Sequence, residues 1–329
     1  MIRAIDVGFG AVKGVCLARE VEYPSAVGSF RPIRFLTGME KQDLKGRLCI
    51  EYDGKSYFVG DMAYKQSSPR VTMSSDRFTS QEGLALMVSA LLLFSNHQYE
   101  NVKLITGLPV NEYSGLKDIY KKTLQGKHFI KLLKPDGSVD KLYSFNVEDV
   151  KVLPQPVGTI FNAVLGNGGQ IFNDKMAKGT IAVLDIGKYT VDLALTDSLQ
   201  FVDKSSVSYS DIGLFDAYKE LSLELKNHGY DIPADSLEPY IRNGKKLNGL
   251  AELKEQVFTS QAEKIISRVH NIWSDLWNID RIFITGGGAL VLGEHLIKDM
   301  DPEKVLICEK PAFTNVRGYF KFAQRLWGS

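Results

Sequence analysis

The chain has 329 residues, 44% hydrophobic and 24% charged, with a formal net charge of +1, which suits a soluble globular protein of about two domains and leaves any DNA contact to a local patch or an adaptor. Three scattered cysteines (Cys16, Cys49, Cys308) give no disulfide framework and predict a reducing, cytoplasmic setting, while five histidines without His-Glu-x-x-His spacing or cysteine partners argue against a zinc site. A first strand beginning at Ile2 leaves no room for a signal peptide, and the most apolar stretch, 83–94, is too short to cross a bilayer and reads as a buried core helix.

Alternation and β-branched content predict strands near 2–7 and 11–18, a hairpin over "LCIEYDGKSYFVG" turned at Asp53-Gly54, and a helix at about 81–97. A buried strand "VKLITGLP" stopped by Pro109, a helix at about 114–125 and a second hairpin turned by "KPDG" at 134–137 complete this first series. Pro154 and Pro156 mark a boundary, after which Val157, Ile160, Phe161, Val164 and Leu165 repeat with helical spacing. The second series has strands at about 180–185, 190–196 and 199–207, a helix at about 211–227 and a polar stretch at 228–250. A long helix at about 251–277 then leads to the strand "RIFITGGG", a helix, the strand "KVLIC" and a last helix from Asn315. Each series opens with a hairpin carrying Asp-x-Gly, which suggests a duplicated α/β architecture.

Three glycine-bearing stretches and one glutamine carry the candidate chemistry. In "AIDVGFGAVKG", 4–14, Gly8 and Gly10 permit a tight turn through positive φ and the lack of a side chain, so that backbone N–H groups can hold phosphate. Lys13 on the next strand would offset phosphate charge, and Asp6 at the strand end can hold the hydration shell of a magnesium ion. "LDIGKYTVDL" at 184–193 repeats the arrangement: Asp185 ends an apolar strand, where an unpaired carboxylate is costly and a shared metal would be its partner. Gly187 lies in the turn and Thr190 follows it. In "ITGGGALVLG", 284–293, glycines let the backbone approach a ligand at a helix start, but Val291 stands where a dinucleotide fingerprint needs its third glycine. Gln155, between two prolines, can orient a water, and a loose phosphoryl-transfer transition state demands such positioning. Each stretch by itself also suits a plainer role: a glycine-rich hairpin, a turn aspartate, a tight strand-to-helix turn, a linker glutamine.

Taken in order, these stretches resemble the motifs of the actin, sugar kinase and Hsp70 superfamily: first phosphate loop (4–14), first connecting helix (153–166), second phosphate loop (184–193), adenosine loop (284–293) and second connecting helix from Asn315. Within it the chain is similar to the ParM-like bacterial and archaeal actins of plasmid segregation, through "DVGFGAVKG", "YPS" at 23–25, "YFVGDMA" at 57–63, "TGLPV" at 106–110, "PQPVG" at 154–158 and "FTNVRGYFKFA" at 313–323. The resemblance implies an α/β, actin-like (ribonuclease H-like) duplicated two-domain fold with a nucleotide cleft between the domains. Domain I would comprise 1–153 plus 313–329 with a small subdomain at about 30–75, and domain II 154–312 with one at about 228–250.

It further implies binding of ATP and ADP with Mg²⁺, GTP being left open, and hydrolysis coupled to assembly of the chain with itself into filaments. Cargo would be reached through a small ParR-like DNA-binding adaptor, with no direct nucleic-acid contact and no membrane. Carried over by position, Asp6 and Asp185 hold magnesium through water, and Gln155 and Asp185 are the catalytic pair. Gly8, Phe9, Gly10 and Lys13 form the first phosphate loop, Gly187, Lys188, Tyr189 and Thr190 the second, and Gly286, Gly287 and Gly288 the nucleoside loop. Lys188 and Tyr189 stand where many relatives have glycine. Three alternatives remain: a small-metabolite kinase, which should carry an extra carboxylate or basic residue in the cleft, a non-polymerising nucleotide switch, and a cytoskeletal filament protein with no part in DNA segregation.

Overall fold

The computed structural model describes residues 1–35, 43–69, 75–242, 249–274, 278–298 and 300–328. Its first series runs β1 (Ile2–Val7), β2 (Ala11–Val15), β3 (Glu20–Pro24), β4 (Val27–Ser29), β5 (Cys49–Tyr52), β6 (Lys55–Val59), α1 (Asp61–Gln66), α2 (Gln81–Phe94), β7 (Tyr99–Leu108), α3 (Val110–Leu124), β8 (Gly126–Leu133) and β9 (Val139–Pro154). These strands form one sheet in the order β3-β2-β1-β7-β9-β8-β5-β6-β4. The second series is α4 (Val157–Val164), α5 (Asp174–Ala177), β10 (Thr180–Ile186), β11 (Val191–Asp197), β12 (Gln200–Phe201), β13 (Val207–Tyr209), α6 (Leu214–Asn227), α7 (Glu238–Ile241), α8 (Leu250–Ile272), β14 (Arg281–Thr285), α9 (Ala289–Ile297), β15 (Val305–Ile307) and α10 (Thr314–Trp327). Its sheet runs β12-β11-β10-β14-β15, with β13 also on β11.

The two sheets repeat one plan. β1 pairs antiparallel with β2 and parallel with β7, which pairs parallel with β9; β10, β11, β14 and β15 stand in the same relation. Strands covered on both faces read as unbroken apolar runs, and β10 is buried from Ile181 through Ile186. One face of the first sheet is covered by α2, whose Leu91 and Phe94 join Ile5 and Leu104. α10 covers the other, placing Val316, Tyr319 and Ala323 on Ala4, Ile105 and Leu153. α4 lies on the second sheet through Ile160 and Val164 against Ile181, Val183 and Phe283.

α4 and α10 also pack on one another, with the Phe161 and Phe322 rings stacked 4.3 Å apart. Gly158 and Gly318 permit that approach, since a Cβ on Gly318 would lie 1.6 Å from the Gly158 carbonyl oxygen. The cleft between the sheets is therefore floored by two helices crossing at glycines.

Several boundaries differ from the sequence reading. β2 stops at Val15 because Cys16 turns onto the Arg19 carbonyl and starts β3, an edge strand too polar to stand out. α2 ends at Phe94 as Ser95 turns extended. α3 starts at Val110, since Pro109, which stops β7, also serves as the helix N-cap. The strand expected at 199–207 is split into β12 and β13 by a turn at Asp203–Ser205. α6 begins after Gly213, and α8 ends at Ile272, short of the expected 277. Residues 36–42 and 70–74 of the first expected subdomain, 243–248 of the second, and 275–277 of the expected long helix lie outside the described residues. Among the described residues no helix is long and apolar enough to cross a membrane.

Candidate functional site

Asp6 and Asp185 lie near the carboxyl ends of β1 and β10, and both open onto one cleft of about 660 Å³ between the sheets. Hairpin register decides what faces each of them. Lys13 on β2 stands opposite Asp6, and Asp192 on β11 stands opposite Asp185.

Each aspartate is held by an amide from the helix that covers the other sheet. Gln155, just before α4, donates from Nε2 to Asp6 Oδ1 at 2.8 Å, and Asn315, in the first turn of α10, donates from Nδ2 to Asp185 Oδ2 at 2.6 Å. Two further bonds tie the helices together: the Tyr319 hydroxyl donates to the Gln155 carbonyl at 3.0 Å, and Thr159 Oγ1 donates to Asn315 Oδ1 at 2.7 Å. Hydrogen bonds to carboxylates are among the stronger kind, so this network fixes both acids across the domain boundary.

Burial raises the pKa of Asp6, with Lys13, Gln155 and Arg77 pulling the other way. Burial and then the Asp192 charge raise Asp185 to about 7, opposed by the Asn315 amide. Asp192 is raised by burial although three donors face it: the Ser208 hydroxyl, the Val110 N–H at 3.3 Å and Thr190 Oγ1 at 3.2 Å. Three buried carboxylates with raised pKa values form a site short of positive charge. Among the described residues no group of three or more His, Cys, Asp or Glu side chains forms a metal cage. A magnesium ion that keeps its waters and takes phosphate oxygens needs only one or two carboxylates, so Asp6 and Asp185 fit it.

The glycines have two different reasons to be glycine. Gly8 and Gly10 were expected to need positive φ, but neither has it. What they need is space: a Cβ on Gly8 would sit 3.0 Å from the Ala11 carbonyl oxygen, and one on Gly10 3.0 Å from Lys188 Cβ. Gly187 is likewise close to Thr190, at 3.1 Å. Gly286 is left-handed, at φ +85, and its Cβ would lie 2.2 Å from Asp185 Oδ1. Gly288 closes on Ile186, whereas a Cβ on Gly287 would meet nothing within 4 Å, and the Gly287 carbonyl accepts from Arg242 at 2.6 Å.

Of the residues singled out from sequence, Asp6, Gly8, Phe9, Gly10, Lys13, Gln155, Asp185, Gly187, Lys188, Thr190, Gly286, Gly287 and Gly288 line the cleft. Tyr189 does not; its ring packs edge-on against Phe215, 5.1 Å between centroids. Sequence reasoning missed Asp192, Asn315 and Arg77. Asp192 had a signal, since the hairpin register places it across from Asp185. Asn315 had none beyond opening the last helix. Arg77 is buried behind the first loop, donating to the Gly8 carbonyl at 3.1 Å with its guanidinium 4.3 Å from the Phe9 centroid. At the far end of the cleft Tyr218 donates to Glu238 at 3.1 Å and Arg242 pairs with Glu238 at 3.0 Å.

Residues 4–158 match the family model of the actin like proteins N-terminal domain, and residues 183–298 that of the archaeal actin homologue MreB-like C-terminal domain. Among solved structures the apo psk41 parM protein is 24% identical over 99% of this chain and 98% of its own, with a TM-score of 0.76. A 15-stranded ParM filament from Clostridium botulinum is 22% identical over 98% of this chain and 99% of its own, at 0.78. Ta0583, an archaeal actin homologue in complex with ADP, is 20% identical over 99% of both chains, at 0.75. At these identities the likeness is one of fold. No curated protein sequence matches.

Proposed function

This chain belongs to the actin-like proteins, with the two-domain α/β fold its motifs implied, and on that footing we propose that it is a nucleoside triphosphatase that closes on magnesium–ATP and assembles with itself into filaments. The observation that carries the reading is the pair Asp6 and Asp185 on one cleft, each tied to the helix under the opposite sheet.

The N–H groups of the two glycine turns hold the phosphates, and Lys13 offsets their charge. Bound magnesium would neutralise phosphate oxygens while Asp6 and Asp185 take its water shell. Gln155, fixed through Asp6, orients the attacking water. Asp185, facing the same water, takes the proton released. Since loops from both domains touch the same ligand, the angle between domains follows the phosphate content. Hydrolysis then times the filament rather than making a product.

The ADP held by Ta0583 on the same fold supports the nucleotide, and the ParM filament supports self-assembly. We extend the proposal to DNA segregation through a small ParR-like adaptor on the likeness to ParM, a net charge of +1 giving no separate argument for direct DNA contact. A metabolite kinase would need a further carboxylate or basic residue facing an acceptor, and Glu22, Asp61, Glu238, Lys45 and Arg242 as well as Asp192 line the cleft, so the acceptor assay below decides between the two. Asp192 is a further carboxylate, but Ser208, Val110 and Thr190 all donate to it, which makes it a support for the second loop.

With Mg²⁺ and ATP, and separately GTP, purified protein should scatter light, show filaments by electron microscopy and release phosphate with no acceptor present. Persistent monomers at all concentrations, with turnover only when a sugar or small acid is added, would overturn the reading in favour of the kinase.

A further inference from the structure

Lys188 puts a long cationic side chain into the second phosphate turn. Its stem lies along the first turn: a Cβ on Gly10 would be 3.0 Å from Lys188 Cβ and 3.3 Å from its Cδ. The ammonium ends 3.5 Å from Asp235 Oδ1 at the cleft wall, above the rings of Tyr189 and Phe215 at 5.1 and 5.2 Å. Asp235 is 72% exposed in its side chain and Lys188 30%, so the pair is long and wet. Pairs of that kind contribute little, and exchanging one for a better anion costs little.

Resting on the nucleotide reading of this cleft, we propose that Lys188 reads the terminal phosphate: its ammonium leaves Asp235 for a γ-phosphate oxygen when a nucleoside triphosphate is bound, and returns to Asp235 in the diphosphate state. The stem already runs beside the Gly10 turn, so the side chain borders both glycine turns of the cleft. A charge-assisted bond to phosphate inside a narrow cleft is stronger than the pair it replaces. Lys13, opposite Asp6 on the first sheet, would then have a counterpart on the second, and the phosphate chain would be gripped by a cation from each domain. Asp235, on the turn Ala234–Ser236, loses its cation in the same exchange, so the charge pairing of the cleft wall differs between the two nucleotide states.

The test is equilibrium binding of ADP and of a non-hydrolysable ATP analogue, both with Mg²⁺, to wild type, Lys188→Met, Lys188→Arg and Asp235→Asn, with thermal midpoints confirming that each variant is folded. Lys188→Met should weaken the analogue by about tenfold while moving ADP by no more than about twofold. Lys188→Arg should keep most of the discrimination, and Asp235→Asn should tighten the analogue. Equal losses for both nucleotides in Lys188→Met, or no loss for either, would overturn the role given to Lys188. A wild type that binds neither nucleotide would instead overturn the reading of the cleft itself.

Discussion

Asp185 is raised to about 7 from an ordinary 3.8, so across that window the folded, ligand-free chain binds a proton that the unfolded chain does not. Stability linked to this group is fully present below about pH 4 and is lost as pH rises through 7, by roughly 1.4 kcal/mol per unit at most. In chelator, thermal unfolding of wild type should therefore shift upward between pH 7.5 and 5.5, and Asp185→Asn should flatten the dependence and be the more stable protein at pH 7.5. Parallel profiles would remove the assigned burial and Asp192 repulsion. Gly286→Ala meets both a positive φ and the Asp185 carboxylate 2.2 Å away. It should lower stability by about 1–3 kcal/mol and weaken nucleotide binding further by displacing Asp185, read by denaturant midpoint and nucleotide titration. The residues legible from sequence are those whose chemistry is local: an acid at a strand end, glycines in a turn, a lysine on the next strand. Asn315 and Arg77 reach the site only because α10 and the stretch before α2 fold onto it, and no spacing encodes that. Gly8 and Gly10 were legible as positions but not as reasons, because the neighbour that excludes a side chain at Gly10 is Lys188, on the other sheet.

The two crossing helices set the geometry of both acids. A Cβ on Gly318 would fall 1.6 Å from the Gly158 carbonyl, a backbone atom that cannot step aside, so Gly318→Ala must part α4 from α10. Expected costs are about 1–3 kcal/mol in stability, with loss of magnesium-dependent nucleotide affinity because Gln155 and Asn315 separate together. Gly115→Ala on α3, where a Cβ meets nothing within 4 Å, is the control and should be neutral or stabilising by up to about 1 kcal/mol. Should Gly318→Ala unfold at the same denaturant midpoint as wild type, the crossing does not hold the helices as described. The near-continuous apolar runs of α2 and β10 and the length of α8 made these elements visible in the sequence within a few residues of their ends. Among the short ones, β5, β6, β14 and β15 showed through an apolar run or a turn signal, whereas β3, β4, α1, α5 and α7, with three to six residues each, carry neither and were not seen. Their places are set by pairing with a neighbour already in the sheet or by packing on it.

At the scale of the molecule, the domains also meet away from the helices. Asn111 at the start of α3 makes a reciprocal pair with Ser208, donating from Nδ2 to its carbonyl and accepting its N–H, both at 2.9 Å. The neighbouring Val110 N–H reaches Asp192. This bridge and the two amide-held aspartates join the domains at separate points. Asn111→Ala should make nucleotide exchange faster in a stopped-flow displacement assay and leave the thermal midpoint within about 2–4 °C of wild type. The duplicated plan of the two sheets was foreshadowed by the repeated Asp-x-Gly hairpin, but the facing of the two halves across one cleft was an implication of family resemblance and not of pattern. The most direct check on that arrangement is a double-mutant cycle on magnesium-dependent binding of a non-hydrolysable ATP analogue to wild type, Asp6→Asn, Asp185→Asn and the double variant. If one ion is shared, each single change costs about tenfold or more and the double costs far less than the product of the two. Effects that multiply independently, or a single variant that binds like wild type, would contradict the shared site.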